Sequence, residues 1–534
     1  MKKYILIVLS VVAFSACDNF LEEEVTDFRT AENAMDTEES AAATVTGVIK
    51  SFMAYDYYSA NFHQVLGFNS TLVGRRAGAN SNRSLAQLTQ TPSTDWVGQP
   101  YSACYSGIAS ANFVIKAADP DSEIESVRNA RGLALFARGV HYFNLVRLYG
   151  RVPMVLVPFE SEDDAAVPRA ESEEIVYEQV REDLEEAFEL MSEEQFDPTF
   201  PSKWAAKAFL AKLHLQLASM QNDAAHWTKA RDYALEVINS GMYSLVNDYG
   251  ALFSMDSEFT SESIFELAFA AVPDAGSAQA NIMAPWSIVS SSGSGAWGRI
   301  VILRETYDRM LAACGGSPDA RMEIGTQTRW LQKNGKTVVS YPRPKGETID
   351  GVKATAYTQY PAFAKWIDGA ALNNNTAGNN FIVCRLAEMY LIAAEAENEI
   401  NGPTQAACDY LNVLLSRSRG TLGYDYPVDV TPGDFNSLGN FRDRIMDERL
   451  VELVGENHTW YDARRKGAAY FKTILENHNT RLDLAKTEKI FSAGSDEYFP
   501  TDEASVLRNL LLPIPSEVII NNQAIGPEDQ NPGY

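Results

Sequence analysis

Between residues 123 and 149, apolar side chains recur at steps of three and four: Leu133, Phe136, Val140, Phe143 and Val146. At 3.6 residues per turn these fall on one helix face, which must be buried against another element. Gly150 and Pro153 close the stretch. The same pattern predicts helices over 31–58, 101–118, 172–191, 203–220, 225–239, 381–400, 404–417 and 441–454. In the 381–400 segment the stripe is Leu386, Met389, Ala393, Ala396 and Ile400.

Helices joined in pairs by short turns point to helix-turn-helix repeats, and WTKARDYALEVINSGMYSL (227–245) resembles the second half of a tetratricopeptide unit. Residues 271–380 differ. They are rich in Gly, Ser, Asn, Pro and aromatics, with short strand-like runs such as 337–341 and 299–303 between turn signals. The expected fold is mainly α, a tetratricopeptide-like helical scaffold forming one domain over 31–534. A loop-rich insert with small β-hairpins occupies about 271–380. Loops on a rigid scaffold are where binding usually resides.

The amino terminus has a separate role. Lys2 and Lys3 precede an apolar run from Tyr4 to Phe14, then Ser15, Ala16 and Cys17. A basic start, a short apolar core and small residues before a cut site make a secretory signal. The run is shorter than the roughly 20 residues a membrane span needs. A cysteine directly after the small pair adds a lipoprotein reading: residues 1–16 are the signal, Cys17 is acylated, and 17–30 is an acidic tether containing Glu22, Glu23 and Glu24. The formal net charge is -26, and removal of the two leader lysines makes it more negative. Such a surface repels phosphate backbones and disfavours nucleic acid.

Catalytic and metal signatures are sparse. The six histidines form no HxxxH or HExxH, so no protein-built metal site is read. Beyond Cys17, Cys104, Cys314, Cys384 and Cys408 show no close CxxC pairing. Cys384 and Cys408 lie in or beside apolar helical patterns and read as buried free thiols. Gly293-Ser-Gly295-Ala-Trp-Gly298 matches GxGxxG, but a strand-like run follows it where a helix start would be needed to hold a pyrophosphate. There is no GxSxG and no P-loop. Acidic pairs such as Asp163/Asp164, Glu185/Glu186 and Glu193/Glu194 read as solvated surface. These residues single out no catalytic set, and no cofactor is expected.

Four segments carry a family resemblance: RGLALFARGVHYFNLVRLYGRVPMV (131–155), FIVCRLAEMYLIAAEAENEI (381–400), IMDERLVELVGENHTWYDARRKG (445–467) and LLLPIPSEVIINNQAIGPEDQNPGY (510–534). In order and spacing they resemble the SusD/RagB family of surface lipoproteins. The resemblance implies a non-enzymatic lid on a SusC-like TonB-dependent outer-membrane transporter. That lid would be lipid-anchored in the outer membrane, face the cell exterior and capture a nutrient, usually an oligosaccharide. Peptide cargo is the alternative within the family. A helical-repeat adaptor without small cargo is the alternative outside it. Asn457 stands where a second glycine is common, and Thr459 where a basic residue is common. Glu448, Glu452, Glu456, Asp462 and Arg465 are read as a buried ion network rather than as a catalytic set.

Glycan binding needs flat apolar faces for sugar C–H groups, with amides or guanidinium groups for the hydroxyls. Trp96 in TPSTDWVGQP leads the candidates, with Gln99 three residues on; the pair resembles the family's loop, with Gln in place of Asn. Arg75, Arg76, Asn80, Asn82 and Arg83 lie just upstream. Trp286, Trp297, Trp330, Tyr341 and Trp366 in the insert could complete an aromatic platform. Trp204 and Trp227, at helix starts, are assigned to the core, and Tyr57 and Tyr58 are left open.

Overall fold

The computed structural model describes residues 35–76, 83–94, 96–194, 197–273, 275–288, 295–342, 348–349, 352–353, 356–358, 360–367, 376–487 and 498–534. The expectations for Cys17, the tether, Asn80, Asn82 and Gly293 fall outside them.

Consecutive helices pack side by side. The Glu125–Tyr149 helix lies between Gly98–Ala117 and Glu173–Leu190. Lys203–Gln221 packs on Ala224–Asn239, which packs on Leu386–Asn401, which in turn contacts Gln405–Leu422 and Leu438–Leu453. This is the expected mainly helical scaffold. Among the described residues no helix is long and apolar enough to cross a membrane.

The Glu125–Tyr149 helix is buried on almost all sides rather than on one stripe. Several of its polar residues are engaged by partners from other segments. Arg138 meets Asp183 at 2.6 Å, and Asn144 donates to the Tyr57 hydroxyl at 2.5 Å. Ser51 spends its hydroxyl hydrogen on the Val48 carbonyl at 2.6 Å, so His141 Nε2 donates to Ser51 Oγ at 3.1 Å.

Two predicted helices are revised. Residues 31–58 do not form one helix. Glu38–Lys50 is α-helical, a 3-10 turn follows at Ser51–Met53, and a π-helical turn at Tyr55–Ser59 leads into Asn61–Phe68. The wide turn buries Tyr57 and Tyr58 and leaves Tyr55 45% exposed. In 381–400, Phe381–Arg385 is a strand paired antiparallel with Ser263–Leu267, and the helix starts at Leu386. The aromatic and β-branched run Phe381, Ile382, Val383 suits a buried strand. Arg385, in extended conformation, caps the helix.

The described residues of the insert carry more regular structure than its composition suggests. Ile300–Ile302 pairs with Val73–Arg75, Arg329–Leu331 pairs with Val338–Ser340, and Thr326–Gln327 pairs with Ala362–Phe363. Helices Arg304–Ala313 and Ala320–Gly325 lie between them. Among the described cysteines Cys104, Cys314, Cys384 and Cys408 are free and buried.

The charged block at 448–465 is a buried ion network. Arg385 reaches Glu262 at 2.8 Å, Glu452 at 2.6 Å and Glu456 at 2.8 Å. Arg321 reaches Asp319 at 2.7 Å and Glu452 at 3.0 Å, and also pairs with Glu448. Arg465 bridges Glu395 at 2.7 Å and Asp462 at 2.9 Å. Burial works to raise the Glu452 carboxyl, but Arg417, Arg385 and Arg321 outweigh it and hold that group well below the usual range. Asn457 adopts φ +65°, the left-handed region where glycine is at ease.

The closing segment returns to the middle of the fold. Leu512 N–H donates to the Leu148 carbonyl at 2.7 Å. Asn531 Nδ2 donates to Tyr149 O at 2.9 Å and Leu512 O at 2.7 Å, and Arg169 donates to Asn531 Oδ1 at 2.6 Å. Gln90 Nε2 donates to the Tyr534 hydroxyl at 2.8 Å.

Candidate ligand-binding site

Trp96 sits in a loop that precedes the Gly98–Ala117 helix, with φ +73°. A bulky aromatic in that region is an outlier that the surroundings must hold. Phe68 does part of this, stacking nearly parallel with its centroid 6.2 Å away. Trp96 faces a cavity of about 570 Å³ lined by Asp56, Ser93, Thr94, Gln99, Ser102 and Glu517 among others. Gln99 Oε1 is buried and has no hydrogen-bond partner. An orphaned amide oxygen beside hydroxyls and an indole suits a ligand rich in O–H donors.

The Val73–Arg75 strand and its partner Ile300–Ile302 bring a second group to the same place, with Arg75 opposite Ile300. Arg299, one residue before that strand, lies with its guanidinium carbon 4.4 Å from the Trp297 centroid and 5.9 Å from that of Trp96. Its Nη1 donates to Gln64 Oε1 at 2.7 Å. Arg76 lies 4.8 Å from the Trp286 centroid and donates through Nε to Gly298 O at 3.0 Å. Trp286 is 44% exposed. Gly298 is required here: it has φ +51°, and a Cβ on it would fall 2.4 Å from the Trp286 backbone nitrogen.

Trp96, Gln99, Arg76, Trp286 and Trp297 therefore belong to one cluster. Arg75 lies half-buried beside it, and Arg83 is exposed at the start of the Arg83–Ala86 helix. Two of the aromatic candidates are corrected. Trp330 is buried, with its Nε1–H donated to Trp286 O at 3.0 Å; it anchors the backbone that carries Trp286. Trp366 is 1% exposed, donates to Gly455 O at 3.1 Å, and packs against Phe253 and Phe381. No face of either ring is left for a ligand. Tyr341 packs edge-on to Tyr307 at 5.8 Å, and burial pushes its hydroxyl up to about 12. Trp227 is buried and Trp204 half-buried against the core.

Sequence reasoning missed Tyr55, Asp56, Arg299 and the Pro515–Glu517 edge of the cavity. Arg299 had a readable signal: in extended chain, residues two apart share a face, so Trp297 and Arg299 point together. Tyr55 had none, because it is exposed only by the π-helical turn. Among the described residues no group of three or more His, Cys, Asp or Glu could hold a metal ion.

Comparisons with known proteins agree with this architecture. The SusD family description matches residues 315–534, and a second SusD-like family, described as starch-binding associating with outer membrane, matches residues 19–215. A SusD-like protein P2 of Formosa agariphila is 27% identical, with all of both chains covered. A crystal structure of a SusD homolog from Bacteroides thetaiotaomicron superposes with TM-score 0.78 at 21% identity, covering 95% of this chain and 99% of that one. A laminarin-binding SusD-like protein superposes with TM-score 0.68 at 22% identity, covering 93% and 99%. With two family descriptions that lie at opposite ends of the chain and a relative matched along its whole length, the chain belongs to the SusD/RagB family.

Proposed function

We propose that this protein captures an oligosaccharide or polysaccharide at the outer face of the outer membrane and passes it to a SusC-like TonB-dependent transporter, performing no chemistry on it. In this reading Cys17 carries the lipid anchor. The observation that carries the reading is the cluster of partly exposed indoles, one of which, Trp96, lines a cavity together with Gln99, whose Oε1 is unpartnered. Indole faces match sugar C–H surfaces, while Gln99, Arg76 and Arg299 offer groups for hydroxyls. The laminarin-binding relative and the starch-binding family description point the same way. The charged residues that resemble a catalytic set are engaged in the buried network and are not available to a substrate.

The test is a binding panel of polysaccharides, oligosaccharides and peptide mixtures against the parent protein and Trp96→Ala. Binding to one glycan class, lost in a variant that keeps the parental Tm, supports capture at this cluster. Binding to peptides alone moves the cargo to the alternative class. Copurification with a transporter from the native membrane tests the delivery step.

A further inference from the structure

Arg299 differs from the arginines of the buried ion network. Arg321, Arg385, Arg417 and Arg465 are each buried and each met by carboxylates. Arg299 is half-buried and carries its charge beside two indoles, and its guanidinium donates to the neutral Gln64 Oε1. Among the described residues no carboxylate pairs with it. Asp56, which lines the Trp96 cavity, accepts from Asn61 Nδ2 at 2.7 Å, and the electrostatic neighbour of Arg299 is Tyr55. A guanidinium has five N–H donors in a planar fork that matches an oxyanion, and Arg299 uses one of its nitrogens on Gln64. Arg76 adds a second guanidinium on the adjacent Trp286. All this stands on a chain of net charge -26, whose overall field repels polyanions, so an anion binds only where cations are placed locally.

We propose that the captured glycan is anionic, and that Arg299 receives its carboxylate or sulfate group while Trp96 and Trp297 hold the adjoining rings. This assignment rests on the glycan-capture reading above. The cluster divides by charge. Asp56 and Glu517 line the Trp96 cavity and suit neutral hydroxyl-bearing rings, whereas the Arg299 and Arg76 side suits the acidic substituent.

Matched polysaccharide pairs test it on the purified protein: polygalacturonate with its carboxyl-reduced form, a sulfated galactan with its desulfated form, and laminarin as a neutral reference. The expected result is at least tenfold tighter binding to one charged member than to its neutralised twin. Arg299→Gln should weaken that binding at least tenfold, and Arg299→Lys less. Loss on carboxyl reduction identifies a uronate, and loss on desulfation a sulfate ester. Equal binding to charged and neutralised twins by the parent overturns the assignment whatever the variants do. So does undiminished binding of the charged glycan by an Arg299→Gln protein that keeps the parental Tm. Binding to laminarin alone overturns the anionic assignment and leaves glycan capture standing; no binding to any glycan removes both.

Discussion

Asn457 Nδ2 donates to His63 Nδ1 at 2.9 Å. The direction follows from the other ring nitrogen, Nε2, which lies 2.5 Å from the Tyr58 carbonyl and must therefore carry the proton. His63 is thus held neutral as the Nε2–H tautomer, and burial pushes its pKa down to about 4. The position that resembles a family glycine is occupied by a residue that accepts the left-handed conformation and adds a hydrogen bond to His63, which itself donates to Tyr58 O in the wide turn.

Asn457→Gly removes the bond but relieves the strained φ, so a net loss of about 1 kcal/mol is expected. Asn457→Ala loses the bond and keeps the strain, for about 2 to 3 kcal/mol. Urea denaturation that ranks glycine below alanine in stability would contradict this account.

Stability should fall on acidification in two stages. His63 and His141, both buried, have folded pKa values of about 4 and about 3 against 6.5 when unfolded. Depressed folded values mean the unfolded chain binds more protons, so stability is full above 6.5 and declines below it. The loss is about 2 kcal/mol for each histidine by pH 5. Below 4.5 the carboxylates Glu452 and Glu388, held well below the usual range, add a second and steeper loss. Tm measured from pH 8 to 4 should be flat, then sloping; His141→Gln, which can still donate to Ser51, should reduce the first slope.

Gly107 faces that same histidine across a helix contact. A Cβ there would fall 2.1 Å from His141 Nε2, so Gly107→Ala should cost about 2 to 3 kcal/mol by forcing the ring aside. Pairing it with His141→Ala should give less than the sum of the two losses, because the clash disappears. Strict additivity in a double-mutant cycle would show that the two positions do not meet.

Arg385→Met strands Glu262, Glu452 and Glu456 with fewer cations around them. A loss of about 3 to 5 kcal/mol is expected, as for other buried charges deprived of a partner. Chemical denaturation of the variant checks it. A change below about 1 kcal/mol would mean that the remaining arginines suffice.

The tryptophans should separate by readout. Trp366→Ala empties a sealed site and should destabilise by about 3 to 5 kcal/mol. Trp286→Ala removes a ring that is 44% exposed and should stay within about 0.5 kcal/mol of the parent while weakening glycan binding severalfold. Thermal unfolding beside affinity electrophoresis distinguishes the two.

The helical scaffold was legible because burial writes a period of three to four into the chain, as in Leu133, Phe136 and Val140. What that period could not convey is how many faces are buried. The polar side of the same helix, with Arg138, His141 and Asn144, reads as solvated until its partners from distant segments are known. Phe381–Arg385 was misread because a short apolar run fits strand and helix alike, and its pairing strand, Ser263–Leu267, lies far back in the chain. Within the candidate site, Trp96 and Gln99 stood out by their loop. Trp330 and Trp366 could not be told from Trp286, because the loops around them look alike in composition and only packing separates an anchor from an exposed ring.

The wall of the Trp96 cavity joins segments far apart in the chain. Ser93 donates to Ser516 across 423 positions, and Ser516 N–H donates to the Pro92 carbonyl at 3.0 Å. A polypeptide emerging amino terminus first therefore makes its indole loop early and lacks the opposing wall until Pro515–Glu517 appear. The cavity is then absent from any nascent or clipped molecule that stops short of Ser516, so its formation reports that the 423 positions separating its two walls have been made and folded back.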